Sequence, residues 1–200
     1  MTPGLANSVP AAIVLGFVGL GVARSVAVWR RHGVNPYAFG LTDSPRDFVG
    51  HLHRLVFGIG TAFLLARAAW PGLDRYAGSF EWVRGAAAWW AGLVLMAAGA
   101  GFALLAQARM GAAWRVGIPD TAPPSVVRDG PFALSRNPVF LGMSGILAGT
   151  FLMAPTGVVL ALLATGLVAF NVQARLEEDY LLQHGGTDYA AYRGKVRRWL

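Results

Sequence analysis

One uncharged run, from Asn137 to Ala174, restricts the fold of this chain more than any other feature: it extends over 38 residues. A helix needs about 20 apolar residues to cross the hydrocarbon core of a bilayer, so the run is too long for a single crossing. Proline and glycine within residues 154–157 divide it, because these residues mark turns between apolar segments. The run therefore predicts a hairpin of two membrane helices, 138–153 and 157–174.

Other parts of the chain are equally apolar. The chain is 55% hydrophobic and only 14% charged, which is unusual for a soluble domain of this length. We predict three further spans, at 9–29, 51–70 and 86–107. Backbone groups in lipid must be hydrogen-bonded within their own segment, so the spans are expected to be helical. The expected fold is all-α, a polytopic membrane protein with about five transmembrane helices and a short cytoplasmic C-terminal helical segment.

The positive charge of the chain is distributed unevenly between its connections. Fourteen of the 17 Lys and Arg residues lie around the first connection, around the third connection or in the C-terminal tail. Basic residues concentrate in cytoplasmic loops, so this asymmetry predicts an external N-terminus and a cytoplasmic C-terminus. Topology and contact with membrane lipids thus account for the net charge of +7, and no nucleic-acid partner is expected. We expect a bacterial inner-membrane protein whose first span is retained, because no basic segment precedes that span.

Two polar segments, 109–137 and 175–200, are predicted to face the cytoplasm, where the hairpin brings them together. This predicts a site at the membrane edge, open to a soluble cofactor on one side and to lipid on the other. We divide the chain into an N-terminal three-span membrane region, 1–108, and a second region, 109–200, with a cytoplasmic loop, the hairpin and C-terminal helices.

An acidic pair, Glu177 and Glu178, follows the last span, where a cytoplasmic flank favours Lys and Arg. Neighbouring helical residues point about 100° apart, so one carboxylate can face a site while the other faces solvent or an arginine. The pair is either a solvated helix face with Arg175 as local partner, or it includes a carboxylate that holds a cationic group such as an amino-acid ammonium.

Arg136 stands in a turn that proline makes rigid. Pro138 restricts Asn137 to extended conformations and suits the first turn of a helix. Arg136 is then either a basic residue that marks the cytoplasmic side, or a fixed guanidinium that binds a carboxylate of cofactor or substrate.

Several other patterns indicate packing or exclude chemistry. The chain has no cysteine, which excludes disulfides and thiolate catalysis. His51 and His53 are two residues apart, so a helix does not place both on one face, and no metal site is expected. The glycines Gly99 and Gly101 in the third span favour close helix packing over phosphate binding.

Two blocks of residues stand out in the second region. They are Gly130, Pro131, Phe132, Arg136, Asn137, Pro138, Phe140 and Gly142, then Glu177, Glu178, Leu181, Gly186, Tyr189, Tyr192, Val196 and Arg198. These blocks resemble the isoprenylcysteine carboxyl methyltransferase and phospholipid methyltransferase superfamily of integral membrane enzymes, whose pattern is G-P-Y, three residues, R-H-P and x-Y-x-G, followed later by an acidic pair, Leu, Gly, two Tyr and a basic end. The segment MGAAWRVGI, at 110–118, is similar to the stretch before the first block, and the resemblance covers about 109–200.

The resemblance implies a membrane methyltransferase that uses S-adenosylmethionine, with a lipophilic small molecule or a lipid as acceptor and no metal. It implies that Arg136 and Glu178 are catalytic and that one of the two glutamates holds the ammonium group of the cofactor. The implied cofactor-binding residues are Gly130, Pro131, Phe132, Arg136, Asn137, Pro138, Phe140, Gly142, Glu177 and Glu178.

The chain departs from the family pattern at two positions. Asn137 replaces a histidine and cannot titrate, so no proton-transfer role is expected there, and Phe140 replaces a tyrosine and lacks its hydroxyl. A prenylated carboxylate, a phospholipid amine, a thiol and an isoprenoid all stay open as acceptors, and the sequence indicates no oligomeric state.

Two other functions are compatible with the pattern. Membrane sterol reductases share a related C-terminal region and use NADPH, but they usually have more than five spans. A non-catalytic accessory membrane protein would keep the fold without turnover, although Arg136 and both glutamates are retained here.

Overall fold

The computed structural model describes residues 3–33, 35–37, 40, 42–117, 126–184 and 186–200, and this part of the chain is helical. It contains no β-strand, only two isolated bridges. The fold is therefore all-α, as predicted. The α-helices are α1 (Pro3–His32), α2 (Pro45–Ala69), α3 (Ala86–Met110), α4 (Pro138–Met153), α5 (Gly157–His184) and α6 (Gly186–Lys195).

Four helices, α1, α2, α3 and α5, are long and apolar enough to cross a membrane, and α4 is apolar but shorter. With 16 residues, α4 is below the length of about 20 that a full crossing needs. All five predicted spans are present as helices, and α4 and α5 form the predicted hairpin. The chain is a polytopic integral membrane protein.

The starts of the helices follow local sequence signals. α4 begins at Pro138, as predicted, because proline lacks the N–H that the first turn leaves unbonded. α2 begins at Pro45, earlier than the predicted span, since the Ser44 hydroxyl caps it by accepting a hydrogen bond from the Asp47 N–H at 3.1 Å. α5 continues beyond the apolar span to His184, which confirms the predicted extension into the acidic segment.

Helices α3 and α4 pack with their backbones in direct contact at two pairs of glycines. A Cβ atom placed on Gly99 would lie 2.5 Å from the Gly142 carbonyl oxygen, and one on Gly92 would lie 2.7 Å from the Gly149 carbonyl oxygen. Small residues permit such approach between membrane helices. We call this contact the glycine seam. The predicted packing role holds for Gly99, whereas a Cβ on Gly101 would meet only open space.

The connections between the helices lie at the two ends of the bundle, and hydrogen bonds join them there. At one end, the Gly157 N–H donates to the Gly78 carbonyl at 2.8 Å, joining the α4–α5 turn to the α2–α3 connection. At the other end, the Val116 N–H donates to the Pro36 carbonyl at 2.7 Å, joining the α1–α2 and α3–α4 connections. We call this second end, with the polar segments after α3 and after the apolar part of α5, the basic end.

The opposite end carries a compact ion-pair group. Arg67 Nε lies 2.8 Å from one carboxylate oxygen of Asp74, and Arg84 Nη2 lies 2.7 Å from the other. Burial raises the pKa of Asp74, but hydrogen bonds from the two arginines outweigh it and hold the pKa below its usual value. Two of the three basic residues predicted near the second connection are thus paired with one local carboxylate, and Arg84 also pairs with Glu81 at 3.1 Å.

Candidate functional site

A cavity of about 500 Å³ lies at the basic end of the bundle. Its wall combines residues of α1, α2, the end of α3, the segment 132–143 and the charged extension of α5. Most of the wall is apolar, with a smaller number of polar and charged side chains. This combination is typical of a binding site for a small molecule.

The turn before α4 depends on the backbone conformation of a glycine and on a hydrogen bond from a tyrosine. Gly130 has a φ of 59°, in the left-handed region, which lets the chain turn into a short 3₁₀ segment with Pro131 and Phe132 buried. The Tyr192 hydroxyl of α6 donates to the Phe132 carbonyl at 2.6 Å. Burial raises the pKa of Tyr192 to about 12, so the hydroxyl stays protonated and keeps donating this bond.

Glu178 is the centre of a charged cluster next to the cavity. Arg198 makes a bidentate contact with Glu178, in which Nε donates to Oε1 at 2.8 Å and Nη2 donates to Oε2 at 2.9 Å. Arg136 Nη2 lies 3.2 Å from Oε2, and Asn137 Nδ2 donates to Oε1 at 3.3 Å. Glu178 is only 3% exposed, so these partners replace the water that a carboxylate would otherwise bind.

Backbone carbonyls of α6 and of the segment after it also hold Arg136 in place. The Arg136 N–H donates to the Arg197 carbonyl at 2.9 Å, and Arg136 Nη1 donates to the Arg193 carbonyl at 3.0 Å. The Ser135 hydroxyl donates to the Arg198 carbonyl at 3.0 Å. The guanidinium is therefore oriented by the Arg193 carbonyl of α6 and by Glu178, and whether it binds a carboxylate of cofactor or substrate stays a prediction.

Glu177 has different surroundings from its neighbour. It lines the cavity, together with Gln173 one turn earlier on α5. The Gln173 Nε2 donates to Glu177 Oε1 at 2.9 Å. The pair is therefore not a solvated face: Glu177 faces the cavity, and Glu178 faces two arginines.

Aromatic rings form another part of the wall. Phe140 stacks on Phe170 with ring centroids 5.6 Å apart. The ring of His53 lies 6.0 Å from that of Phe140, and its Nδ1 is 2.8 Å from the Val49 carbonyl oxygen. His53 lines the cavity and His51 does not. Among the described residues, no three potential metal ligands of the His, Cys, Asp or Glu type lie together.

Three buried polar atoms at the cavity have no hydrogen-bond partner within the described residues: Gln107 Oε1, Gln173 Oε1 and Arg136 Nε. Gln107 and Gln173 are 3% and 1% exposed. Neither glutamine was predicted from the sequence as a site residue. Polar side chains within apolar membrane helices are costly and often functional, which is a signal, but both glutamines lie near span ends, where interfacial residues are common.

The ten residues implied as cofactor ligands divide into two groups. Four do not line the cavity: Gly130 lies beside the Arg109 side chain, Pro131 is buried, Gly142 belongs to the glycine seam, and Glu178 binds the arginines. Whether any of the ten binds a cofactor stays a prediction. The residues that do line the cavity are Phe132, Arg136, Asn137, Pro138, Phe140 and Glu177.

Comparison with known proteins places this arrangement in a family. A family profile described as phospholipid methyltransferase matches residues 87–186, from the start of α3 to the start of α6. No curated protein and no solved structure matches the chain. The matched segment contains Arg136 and both glutamates of the site. Because the match covers half of the chain, the protein belongs to the phospholipid methyltransferase family of integral membrane methyltransferases.

Proposed function

We propose that the protein transfers a methyl group from S-adenosylmethionine to a lipophilic acceptor at the cytoplasmic membrane interface. One observation carries the proposal. A single cavity combines charged side chains from the family-matched segment with an apolar wall from α1 and α2. A polar donor and an apolar acceptor would both find complementary surfaces there.

The chemistry of the lining residues fits this cofactor. S-adenosylmethionine carries a carboxylate, an ammonium group, a sulfonium and an adenine ring. Arg136 would hold the carboxylate, since its Nε is buried with no partner among the described residues. Glu177 would hold the ammonium, and Phe132 and Phe140 provide ring surfaces for the adenine.

The cofactor, when bound, supplies a methyl group that is already activated as part of a sulfonium. The residues of the chain then act mainly by orientation. Arg136 is held in place by Glu178 and by the Arg193 carbonyl of α6. Asn137 donates to Glu178 and to the Arg198 carbonyl, so it supports the cluster without transferring a proton.

The acceptor side of the cavity opens toward lipid along α1. Val18, Val22 and Val26 line the cavity and are also 36%, 58% and 37% exposed. Spaced four residues apart, they lie along one face of the helix. An apolar chain in the bilayer can therefore lie against α1 with its reactive group at the basic end, which favours a lipid or another membrane-dissolved acceptor.

The same geometry supports different roles for the two predicted regions, 1–108 and 109–200. Residues 109–200 supply Arg136, Glu177 and part of the apolar wall, and α1 and α2 within 1–108 supply the apolar face that includes Val18, Val22 and Val26. If the basic end is cytoplasmic, the polar side of the site meets the compartment that holds soluble cofactors.

The test is binding of radiolabelled S-adenosylmethionine to the full chain in detergent, with NADPH as competitor, followed by methyl transfer to a membrane lipid extract. We expect saturable binding that NADPH does not displace, and label in the organic phase. Displacement by NADPH would instead indicate a membrane reductase. Absence of binding to either compound would indicate an accessory protein without turnover.

A further inference from the structure

Two buried glutamines face the cavity from different helices, Gln107 on α3 and Gln173 on α5. We propose that their amide oxygens bind the N–H groups of a zwitterionic ligand whose anionic end is bound by Arg136. This inference deepens the proposed function and rests on it for placing a ligand in this cavity. The shared chemistry is a primary ammonium close to a carboxylate or phosphate, which describes both the amino-acid end of the methyl donor and a lipid headgroup.

Both glutamine oxygens are buried without a partner in the described part of the chain. The Oε1 atoms of Gln107 and Gln173 are buried and accept no hydrogen bond from the described residues. Buried polar atoms in proteins are nearly always hydrogen-bonded, and an exception has to be explained. Two exceptions on the wall of one cavity have a common explanation if a ligand supplies both donors.

The orientation of the Gln173 amide is fixed by its neighbour on α5. Its Nε2 donates one hydrogen bond to Glu177 Oε1 at 2.9 Å, which places the nitrogen on the side of Glu177. The Gln173 oxygen has no partner among the described residues and is an acceptor that needs an N–H or O–H donor. Gln173 and Glu177 together present acceptor oxygens from one turn of α5.

Within the ranges that the structure describes, Arg136 adds an unpartnered donor to these two unpartnered acceptors. Arg136 lines the same cavity, and its Nε is buried with no acceptor among the described residues. The cavity thus lacks donors for two oxygens and an acceptor for one N–H group. A zwitterion with a primary ammonium supplies both, whereas a simple anion or a quaternary ammonium without N–H groups does not.

The test measures thermal unfolding and binding of the full chain in detergent with three probes. These are S-adenosylmethionine, a short-chain phosphatidylethanolamine, and the matching phosphatidylcholine, which has no N–H group. Gln107→Met and Gln173→Met keep volume and remove the amide, and Leu105→Met is the control on an exposed position of α3 outside the cavity. We expect the two glutamine variants to weaken binding of at least one N–H-bearing probe about ten- to a hundred-fold.

The unfolding temperature without ligand distinguishes a binding role from a structural one. A glutamine kept for binding is unsatisfied in the free protein, so Gln107→Met should leave that temperature unchanged or raise it. Weaker S-adenosylmethionine binding in the variants identifies the methyl donor as the source of the ammonium. Weaker binding of the ethanolamine lipid alone identifies a headgroup.

Other outcomes overturn the inference. A lower unfolding temperature in Gln107→Met with unchanged affinities would show that the amide is structural or satisfied by water. Equal binding of the choline and ethanolamine lipids, with S-adenosylmethionine unaffected by the variants, would show that N–H groups are not recognised, while the proposed methyl donor would stand. If wild type bound only the ethanolamine lipid, and did so through Gln107, the inference would stand and the proposed methyl donor would fail.

Discussion

At the residue scale, the two glutamates after the last span have different partners. Glu178 is bound by Arg198, Arg136 and Asn137 and is not on the cavity wall, whereas Glu177 is on the wall with only Gln173 as its hydrogen-bond partner in the described residues. We therefore propose that Glu178 holds the site together and that Glu177 contacts a ligand. The family resemblance implied Glu178 as the catalytic member, and that role stays a prediction.

The two carboxylates should respond differently to neutralisation. Glu178→Gln leaves two guanidinium groups without their counter-charge, and breaking a buried ion pair costs roughly 3–5 kcal/mol. Because Arg198 is a quarter exposed, we expect the lower part of this range, seen as a lower unfolding temperature. Glu177→Gln should keep the unfolding temperature and lose S-adenosylmethionine affinity. Equal effects of both variants on stability and on binding would contradict the assignment.

Arg136 should not be replaceable by lysine. Its guanidinium donates to Glu178 Oε2 and to the Arg193 carbonyl at once, and an ammonium on a flexible stem cannot reproduce that fork. We expect Arg136→Lys to reduce S-adenosylmethionine affinity about ten- to a hundred-fold. Arg128→Lys is the matched control, since Arg128 makes an exposed ion pair with Asp188 away from the cavity. Full affinity in Arg136→Lys would mean that Arg136 only marks the cytoplasmic side of the membrane and does not bind the cofactor.

Sequence reasoning found the charged residues of the site and missed its amides. Arg136 and Glu177 stood out because charge is rare in this chain and both border apolar spans. Gln107 and Gln173 did not, since a glutamine near a span end looks like an interfacial residue until the folded chain shows that it is buried. The hydrogen bonds from Arg136 to the Arg193 and Arg197 carbonyls were also not predictable, because no local sequence pattern indicates which N–H group a distant backbone carbonyl will bind.

At the scale of elements, the glycine seam decides how closely α3 and α4 approach. Gly99→Ala places a methyl group against the Gly142 carbonyl oxygen, where backbone cannot move aside cheaply. We expect a loss of about 1–3 kcal/mol in unfolding free energy, as for other overpacked sites. Gly101→Ala, two residues along the same helix, meets open space and should be neutral or slightly stabilising. Similar unfolding temperatures for the two variants would show that the seam is not tightly packed.

The exposed face of α1 should control access of the acceptor. Val22 lines the cavity and is open to lipid, so Val22→Trp should obstruct the opening and reduce methyl transfer to lipid while S-adenosylmethionine binding persists. Leu20→Trp adds the same bulk on an exposed position outside the cavity wall. Unchanged transfer in Val22→Trp would mean that acceptors reach the site by another route.

The elements themselves were largely predictable. The limits of α4 coincide with the predicted 138–153 because Pro138 and the turn residues after Met153 mark both ends. The start of α2 was missed by several residues, since Ser44 and Pro45 begin the helix in a polar stretch where hydropathy gives no signal. Which faces of α1 and α2 form the cavity was not predictable, because both helices are apolar on most sides.

At the scale of the whole molecule, the distribution of charge predicts the orientation. The basic end gathers the arginines of the first and third connections and of the tail, whereas the opposite end pairs Arg67 and Arg84 with Asp74. A cytoplasmic reporter fused after Leu200 should be active, and the same reporter inserted at Gly72 should be inactive. Activity at Gly72 would place the site on the external face and contradict the proposed use of a soluble cytoplasmic cofactor.

The wall formed by α1 and α2 lies outside the matched segment, whereas Arg136 and the glutamates lie inside it. Under the proposed function, mutations that reshape Val18, Val22 or Val26 should change which molecule is methylated without altering how the methyl group is supplied. After gene duplication, two copies could diverge in acceptor while sharing one donor site. Exchanging the first two helices between such copies should then transfer acceptor preference, while Arg136 and the glutamates stay the same.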